Sequence, residues 1–291
     1  MIGRAAVAAL ALVAGAASAR SPAAGSHYVA MGSSYAAGPG IAQSADAPPT
    51  RCTRSTGNYA HQLAARYRLR LTDVSCGGAT TAHLLGPWNE LPPQIDALRP
   101  DTALVTVTIG GNDVGFVAGL FKGSCEGEGA SATPFCRGMA QRAASVTPPA
   151  IDATAWQRAE AGLTAIAAAV RVRSPKARLV FVDYLTVLPS RGGCSAVPLS
   201  PAALRQSRET AARLVRLTAK VAARSGATLI RASKLSVQHN ACATQPWTTG
   251  IMAPPGGGAF VPYHPNLAGM TAIADAIATR LEVPGRPLHP K

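Results

Sequence analysis

The chain has no C-x-x-C pair, no G-x-S-x-G pentapeptide and no complete G-x-G-x-x-G, and each absence closes off a class of chemistry. Without the first, a zinc site or a thioredoxin-like redox motif lacks its spacing. Without the second, the nucleophile elbow of an α/β-hydrolase is missing. Gly38-Pro39-Gly40 starts like the third pattern but does not continue it, so a dinucleotide-binding turn is unsupported. Carboxylates are scarce: 14 Asp and Glu stand against 28 Lys and Arg, a formal charge of +14. The cations are scattered rather than massed, which fits weak attraction to anionic surfaces or simply a solvated, exported surface. No motif supports nucleic-acid binding. Internal repeats are absent, and so is any apolar run long enough to span a bilayer.

What is present begins at the N-terminus. A charged start at Arg4, an apolar stretch from Ala5 to Ala17 and the small-x-small sequence Ala17-Ser18-Ala19 read as a secretory signal over residues 1–19. The remaining residues, 20–291, suit a single domain, exported as a soluble monomer. Six cysteines (Cys52, Cys76, Cys125, Cys136, Cys194 and Cys242) in an exported chain read as a disulfide framework, because the compartment is oxidising and the number is even. The count leaves the pairing open, although nearest neighbours close the cheapest loops.

Five short β-like runs alternate with helical patterns: 27–33, 70–75, 103–109, 178–185 and 227–232. Several are nearly continuous Val, Ile and Leu, as expected when both faces of a parallel sheet are covered. Trp156, Leu163, Ile166 and Val170 form one helical stripe; Leu204, Ala211, Leu214, Leu217 and Val221 form another. Pro265 suits the first turn of a last helix that carries Leu267, Met270, Ile273, Ile277 and Leu281. Alternation of this kind predicts a doubly wound α/β sheet. The strand-to-helix connections all read as long, with those after strands three and five the longest. They emerge at the carboxyl edge of the sheet, where open α/β folds hold ligands, and the cysteines lie on or beside that edge. A disulfide-held rim around a site follows. The Gly256-Gly257-Gly258 run and residues 284–291 read as mobile.

Three blocks on that rim carry chemistry. Gly32-Ser33-Ser34 ends the first strand, and Ser34 is a candidate nucleophile. Alone, such a serine is more often a turn or cap residue. His264, in Tyr263-His264-Pro265-Asn266, is a candidate base, kept neutral by the positive end of the helix that follows. Asn112, in Gly110-Gly111-Asn112-Asp113, puts an amide beside backbone that a substrate can approach. Gly78, in Cys76-Gly77-Gly78-Ala79-Thr80, offers a backbone N–H after strand two. The two glycine-rich segments also read simply as turns. Leu84, Trp88, Phe116, Leu120 and Trp247 either line an acyl site or pack the loops.

In this order the blocks resemble those of the SGNH, or GDSL, hydrolases: Ser34, Gly78, Asn112, and His264 in His264-Pro265-Asn266-Leu267-Ala268-Gly269. The resemblance spans residues 28–281. It implies a three-layer α/β/α sandwich with a five-stranded, parallel, flavodoxin-like sheet. It also implies Ser34 as nucleophile and His264 as base, with the Ser34 and Gly78 N–H groups and the Asn112 side chain as oxyanion donors. The six cysteines are similar to those of secreted bacterial lipases and esterases of the family, which implies the pairs Cys52–Cys76, Cys125–Cys136 and Cys194–Cys242.

The chain departs from the family pattern twice. Ser33 stands where the family has an aspartate before the nucleophile, and Val261 stands where the triad acid would lie, three residues before the histidine. Some secreted members are similar in orienting the histidine with a main-chain carbonyl, which makes the Val261 carbonyl the candidate partner of His264. Asp113 and Asp183, near strand ends, are weaker candidates. The expectation is a secreted serine esterase or lipase that hydrolyses carboxylic esters, of lipids or of short-to-medium acyl chains, without metal or organic cofactor. A carbohydrate acetylesterase of the same fold and a non-catalytic exported binding protein are the alternatives.

Overall fold

Tyr28 and Ala30 of β1 (His27–Gly32) are buried on one face of a sheet, and Val29 and Met31 on the other. The period-two geometry of a strand forces that division, and it recurs across β3 (Thr102–Thr108) and β4 (Arg178–Val182). The computed structural model describes residues 21–41, 43–126, 136–138, 154–252 and 260–282. The secretory signal, the triple-glycine run and the C-terminal tail anticipated above lie outside these residues.

With β2 (Arg70–Asp73) and β5 (Thr228–Ile230), the strands form one sheet in the order β2-β1-β3-β4-β5. Every pairing is parallel. This is the flavodoxin-like order of a doubly wound fold. After α3 (Thr81–Leu85) and α4 (Phe116–Ser124), helices α5 (Ala155–Arg173) and α6 (Pro201–Ser225) cover one face with Leu163, Ile166, Val170, Leu214, Leu217 and Val221. Helices α2 (Tyr59–Tyr67) and α8 (Leu267–Glu282) cover the other with Leu63, Ile273, Ile277 and Leu281. The result is an α/β/α sandwich, and each of these buried aliphatic side chains stabilises it by roughly 2 kcal/mol.

Helix ends follow local chemistry. The Ser200 hydroxyl accepts from the Ala203 N–H ahead of Pro201, and α6 stops at Gly226 in the left-handed region. Two expectations fail at such ends. Pro265 is not in the first turn of α8: the Asn266 side chain accepts from the Gly269 N–H and caps the helix, so the proline precedes the cap. Nor are all strand-to-helix connections long. Only Ser33 separates β1 from α1 (Ser34–Ala37), and only Arg231 separates β5 from α7 (Ala232–Leu235). Helical turns of four residues are too short to show an apolar period, so the sequence pattern reads them as loop.

Candidate active site

Gly32 ends β1 at φ 143°, and a Cβ there would lie 2.3 Å from the Thr108 carbonyl oxygen on the neighbouring strand. Only glycine fits so close to β3. Both backbone groups of Gly32 are held by the Gln94 side chain: its amide oxygen accepts at 2.8 Å and its NH₂ donates at 3.0 Å. The chain then turns through Ser33 into α1, whose first residue is Ser34. That turn sets the Ser34 hydroxyl 2.8 Å from His264 Nε2, although 230 positions separate the two residues.

The other ring nitrogen, Nδ1, lies 2.8 Å from the Pro262 carbonyl oxygen. A carbonyl only accepts, so Nδ1 carries the proton and Nε2 presents its lone pair to the serine hydroxyl. The expected partner, Val261, is therefore displaced by one residue. Its carbonyl accepts from the His264 backbone N–H at 3.3 Å, closing a turn, and from the Thr249 hydroxyl at 2.7 Å. With that carbonyl engaged by the turn itself, the ring meets the next one. Neither candidate carboxylate reaches the histidine. Asp113 accepts from the Thr81 N–H and hydroxyl, and Asp183 from the Ser233 N–H and hydroxyl.

His264 is only 6% exposed, and burial pushes its pKa down to about 4, against a small upward pull from the Pro262 carbonyl. Desolvation, rather than the helix end invoked from the sequence, keeps this imidazole neutral.

The segment bearing the histidine is irregular but heavily tied. A bridge between Thr248 and Pro265 is flanked by hydrogen bonds from Thr249 N–H to the His264 carbonyl and from Asn266 N–H to the Trp247 carbonyl, both 2.9 Å. Tyr263 sits at φ 60°, a left-handed conformation unfavourable for a bulky residue. Two contacts fix it there: the Tyr35 hydroxyl donates to its carbonyl, and its own hydroxyl meets that of Ser124. Tyr35 also packs its ring against His264, with centroids 5.2 Å apart. The residue after the serine thus holds the residue before the histidine.

The Asn112 amide donates to the Ala79 carbonyl at 2.8 Å, joining the turn after β3 to the turn that carries Gly78. Among the described residues the Ser34 and Gly78 N–H groups have no hydrogen-bond partner. Tyr184 underpins this corner: its hydroxyl accepts from Gly111 N–H at 2.8 Å and lies 3.4 Å from the Ser33 hydroxyl. Ser33 is buried, so the position held by aspartate in the family pattern faces a tyrosine here rather than solvent.

The disulfides are Cys52–Cys76, Cys125–Cys136 and Cys194–Cys242. The first staples the approach to Gly78, reinforced by a bond from Gly77 N–H to the Cys52 carbonyl. Of the apolar rim residues, Leu84, Phe116 and Leu120 are buried in the core, which removes them from any open groove. Trp88 and Trp247 are half-buried, stacked on His83 and His239 respectively. The Trp88 ring edge lies against Gly78, and beyond it a cleft of 370 Å³ is lined by Cys52, Cys76, Trp88, Leu91 and Pro93, among others.

Sequence reading missed Tyr35, Tyr263, Gln94 and Thr249, and misassigned the carbonyl at Pro262. Tyr35 carried one usable signal, its place next to Ser34. The others act through backbone geometry that residue type does not disclose.

The sequence pattern of the GDSL-like lipase/acylhydrolase family matches residues 30–272. The chain belongs to that family. It is a carboxylic ester hydrolase on the three-layer fold that the sequence resemblance implied. Lipase 2 of Streptomyces coelicolor is 34% identical over 255 residues, covering 85% of this chain and 83% of that one. Two solved structures are similar over nearly their whole length. The extracellular lipase of Streptomyces rimosus has a TM-score of 0.69 at 27% identity, covering 87% of this chain and 99% of that chain. Phospholipase A1 of Streptomyces albidoflavus NA297 has a TM-score of 0.67 at 25% identity, covering 88% and 99%. Among the described residues no helix is long and apolar enough to cross a membrane.

Proposed function

We propose that this GDSL hydrolase cleaves lipid-type carboxylic esters through an acyl-enzyme on Ser34. The reading is carried by the 2.8 Å contact between the Ser34 hydroxyl and a histidine nitrogen whose opposite proton is already committed to a carbonyl. In this scheme His264 Nε2 takes the hydroxyl proton as Oγ attacks the ester carbonyl. Negative charge on the carbonyl oxygen is met by the Ser34 and Gly78 N–H groups and by the second amide hydrogen of Asn112, the first being held by Ala79. His264 then protonates the departing alcohol, and water repeats the sequence to release the acid.

The pair is a dyad. The Pro262 carbonyl fixes tautomer and orientation, which is much of what a triad acid contributes, but places no full charge beside the imidazolium that forms. No metal or organic cofactor is required by this chemistry. The names of the similar Streptomyces enzymes favour lipid or medium-length acyl esters over glycan acetates. Residues 1–19 act as a secretory signal in this account, and 20–291 as one exported, monomeric domain held together by its disulfides.

Hydrolysis of p-nitrophenyl esters from acetate to palmitate by the oxidised protein, beside Ser34→Ala, tests the proposal. Turnover of medium and long chains that vanishes in Ser34→Ala supports it. Acetate-only turnover moves the assignment to a carbohydrate acetylesterase, and no Ser34-dependent turnover removes the catalytic scheme.

A further inference from the structure

Five large apolar side chains are exposed among the described residues: Val172 at 80%, Met252 at 67%, Leu267 at 52%, and Leu235 and Val237 at 46%. They are not spread evenly. Val172 lies near the end of α5, which feeds the amino end of β4, on the edge of the sheet away from Ser34. The other four lie on the carboxyl edge, in the segments that surround His264. Leu235 closes α7, and Val237 opens the 3₁₀ turn Val237–His239 that follows it. That turn is tied to the start of α8, where Leu267 sits, by bonds from Trp247 N–H to the His239 carbonyl and from Asn266 N–H to the Trp247 carbonyl. Met252 follows Ile251, whose N–H is bonded to the Ala196 carbonyl beyond Thr249, the residue paired with His264.

Charge on the same segments has one sign. No Asp or Glu occurs between Glu209 and Asp275, while Arg231 and Lys234 are exposed beside Leu235 and Val237. Asp183, the carboxylate that reaches this segment, is buried, bonds Ser233 and faces Arg231. Exposed apolar side chains interleaved with exposed cations suit an interface whose headgroups are anionic and whose interior is hydrocarbon. They do not suit water.

We infer that Leu235, Val237, Met252 and Leu267, with Arg231 and Lys234, form a docking surface for an anionic lipid layer, which brings the esters of that layer to the Ser34–His264 edge. The inference rests on the lipid-ester reading above but uses none of its reacting residues. A protein that only met dissolved esters would gain nothing from apolar side chains gathered on one edge. Docking by this edge shortens the path of a lipid ester from the layer to the serine.

The test measures sedimentation with vesicles of roughly three parts phosphatidylcholine to one part phosphatidylglycerol, and with phosphatidylcholine alone. Ser34→Ala protein is used, so that hydrolysis does not alter the surface. The expected result is partition onto the anionic vesicles that falls several-fold in higher salt and about tenfold in Leu235→Ser/Val237→Ser, whereas Val172→Ser has no effect. Turnover of a soluble acetate ester by the same substitutions in the Ser34 background reports folding and catalysis separately. Equal losses in Val172→Ser and the double variant, or no partition of the parent protein, would overturn the inference. So would a dimer in solution that the double variant dissociates, since a second copy would then be what covers the patch. Loss of soluble-ester turnover in the Ser34 protein itself would instead count against the catalytic scheme.

Discussion

Ser34 and His264 meet at one point but are held there by opposite means. The serine rides on regular structure: a central parallel strand, one turn residue and a helical turn, with Gln94 bracketing Gly32. The histidine rides on a segment without regular structure, kept in place by single hydrogen bonds to carbonyls and by a tyrosine forced into a left-handed conformation. Regular structure is built from repeated contacts, so losing one costs little. An irregular segment concentrates its positioning in a few groups, and one substitution can move the ring.

The largest expected effect comes from removing the groups that react. Ser34→Ala lowers kcat by roughly a thousandfold to a millionfold with little change in melting temperature, because α1 does not depend on the hydroxyl. Stopped assays on a soluble ester, beside a thermal scan, check both halves. Asn112→Ala comes next, at roughly a hundredfold to a thousandfold in kcat, the loss typical of one oxyanion donor. An unchanged kcat would remove Asn112 from that role.

Tyr35→Phe sharpens the comparison most, because it keeps the ring beside His264 and deletes only the hydroxyl that holds the Tyr263 carbonyl. A fall of about tenfold in kcat with KM unchanged is expected, with roughly 1 kcal/mol of stability lost. An unchanged kcat per active site, counted by titration of the reactive serine, would show that the hydroxyl matters only for folding. The smallest kinetic effect is expected of Asp183→Asn. Burial raises the Asp183 pKa to about 6, but its oxygens serve Ser233 and not the histidine, so stability changes while the pH dependence of kcat/KM does not.

The same contrast decides what the sequence disclosed. Apolar runs locate the mostly buried strands β1, β3 and β4 to within a few residues, because covering both faces of a parallel sheet constrains nearly every position there, which does not hold for the edge strand β2. Ser34 and Asn112 stand out for the same reason, since each follows the end of a buried strand, whereas Gly78 follows the edge strand β2 and stands out only through its glycine-rich turn. His264 itself is legible through its motif, yet its support is not. Choosing between Val261 and Pro262 depends on whether the turn consumes the first carbonyl, and any residue type supplies a carbonyl. The role of Tyr35 depends on the left-handed backbone at Tyr263, for which a tyrosine in the sequence gives no warning. The two readings open for the apolar rim could not be separated in one dimension because exposure is a tertiary property, and for Leu84, Phe116 and Leu120 burial decides for packing.

The central claim is that His264 is a base held neutral by burial and oriented by a carbonyl. Titration of its ring nitrogens by NMR in the resting enzyme tests this directly. The sign is definite: a pKa lowered from the usual 6.5 keeps Nε2 able to accept a proton as the pH falls, until it is lost near 4. The predicted result is a proton on Nδ1, a lone pair on Nε2 and a midpoint close to pH 4, matched by the acid limb of kcat/KM. A midpoint at 6.5 would contradict the account, because it would mean a solvated ring, and one above 6.5 would mean a negative charge beside the ring in place of the Pro262 carbonyl.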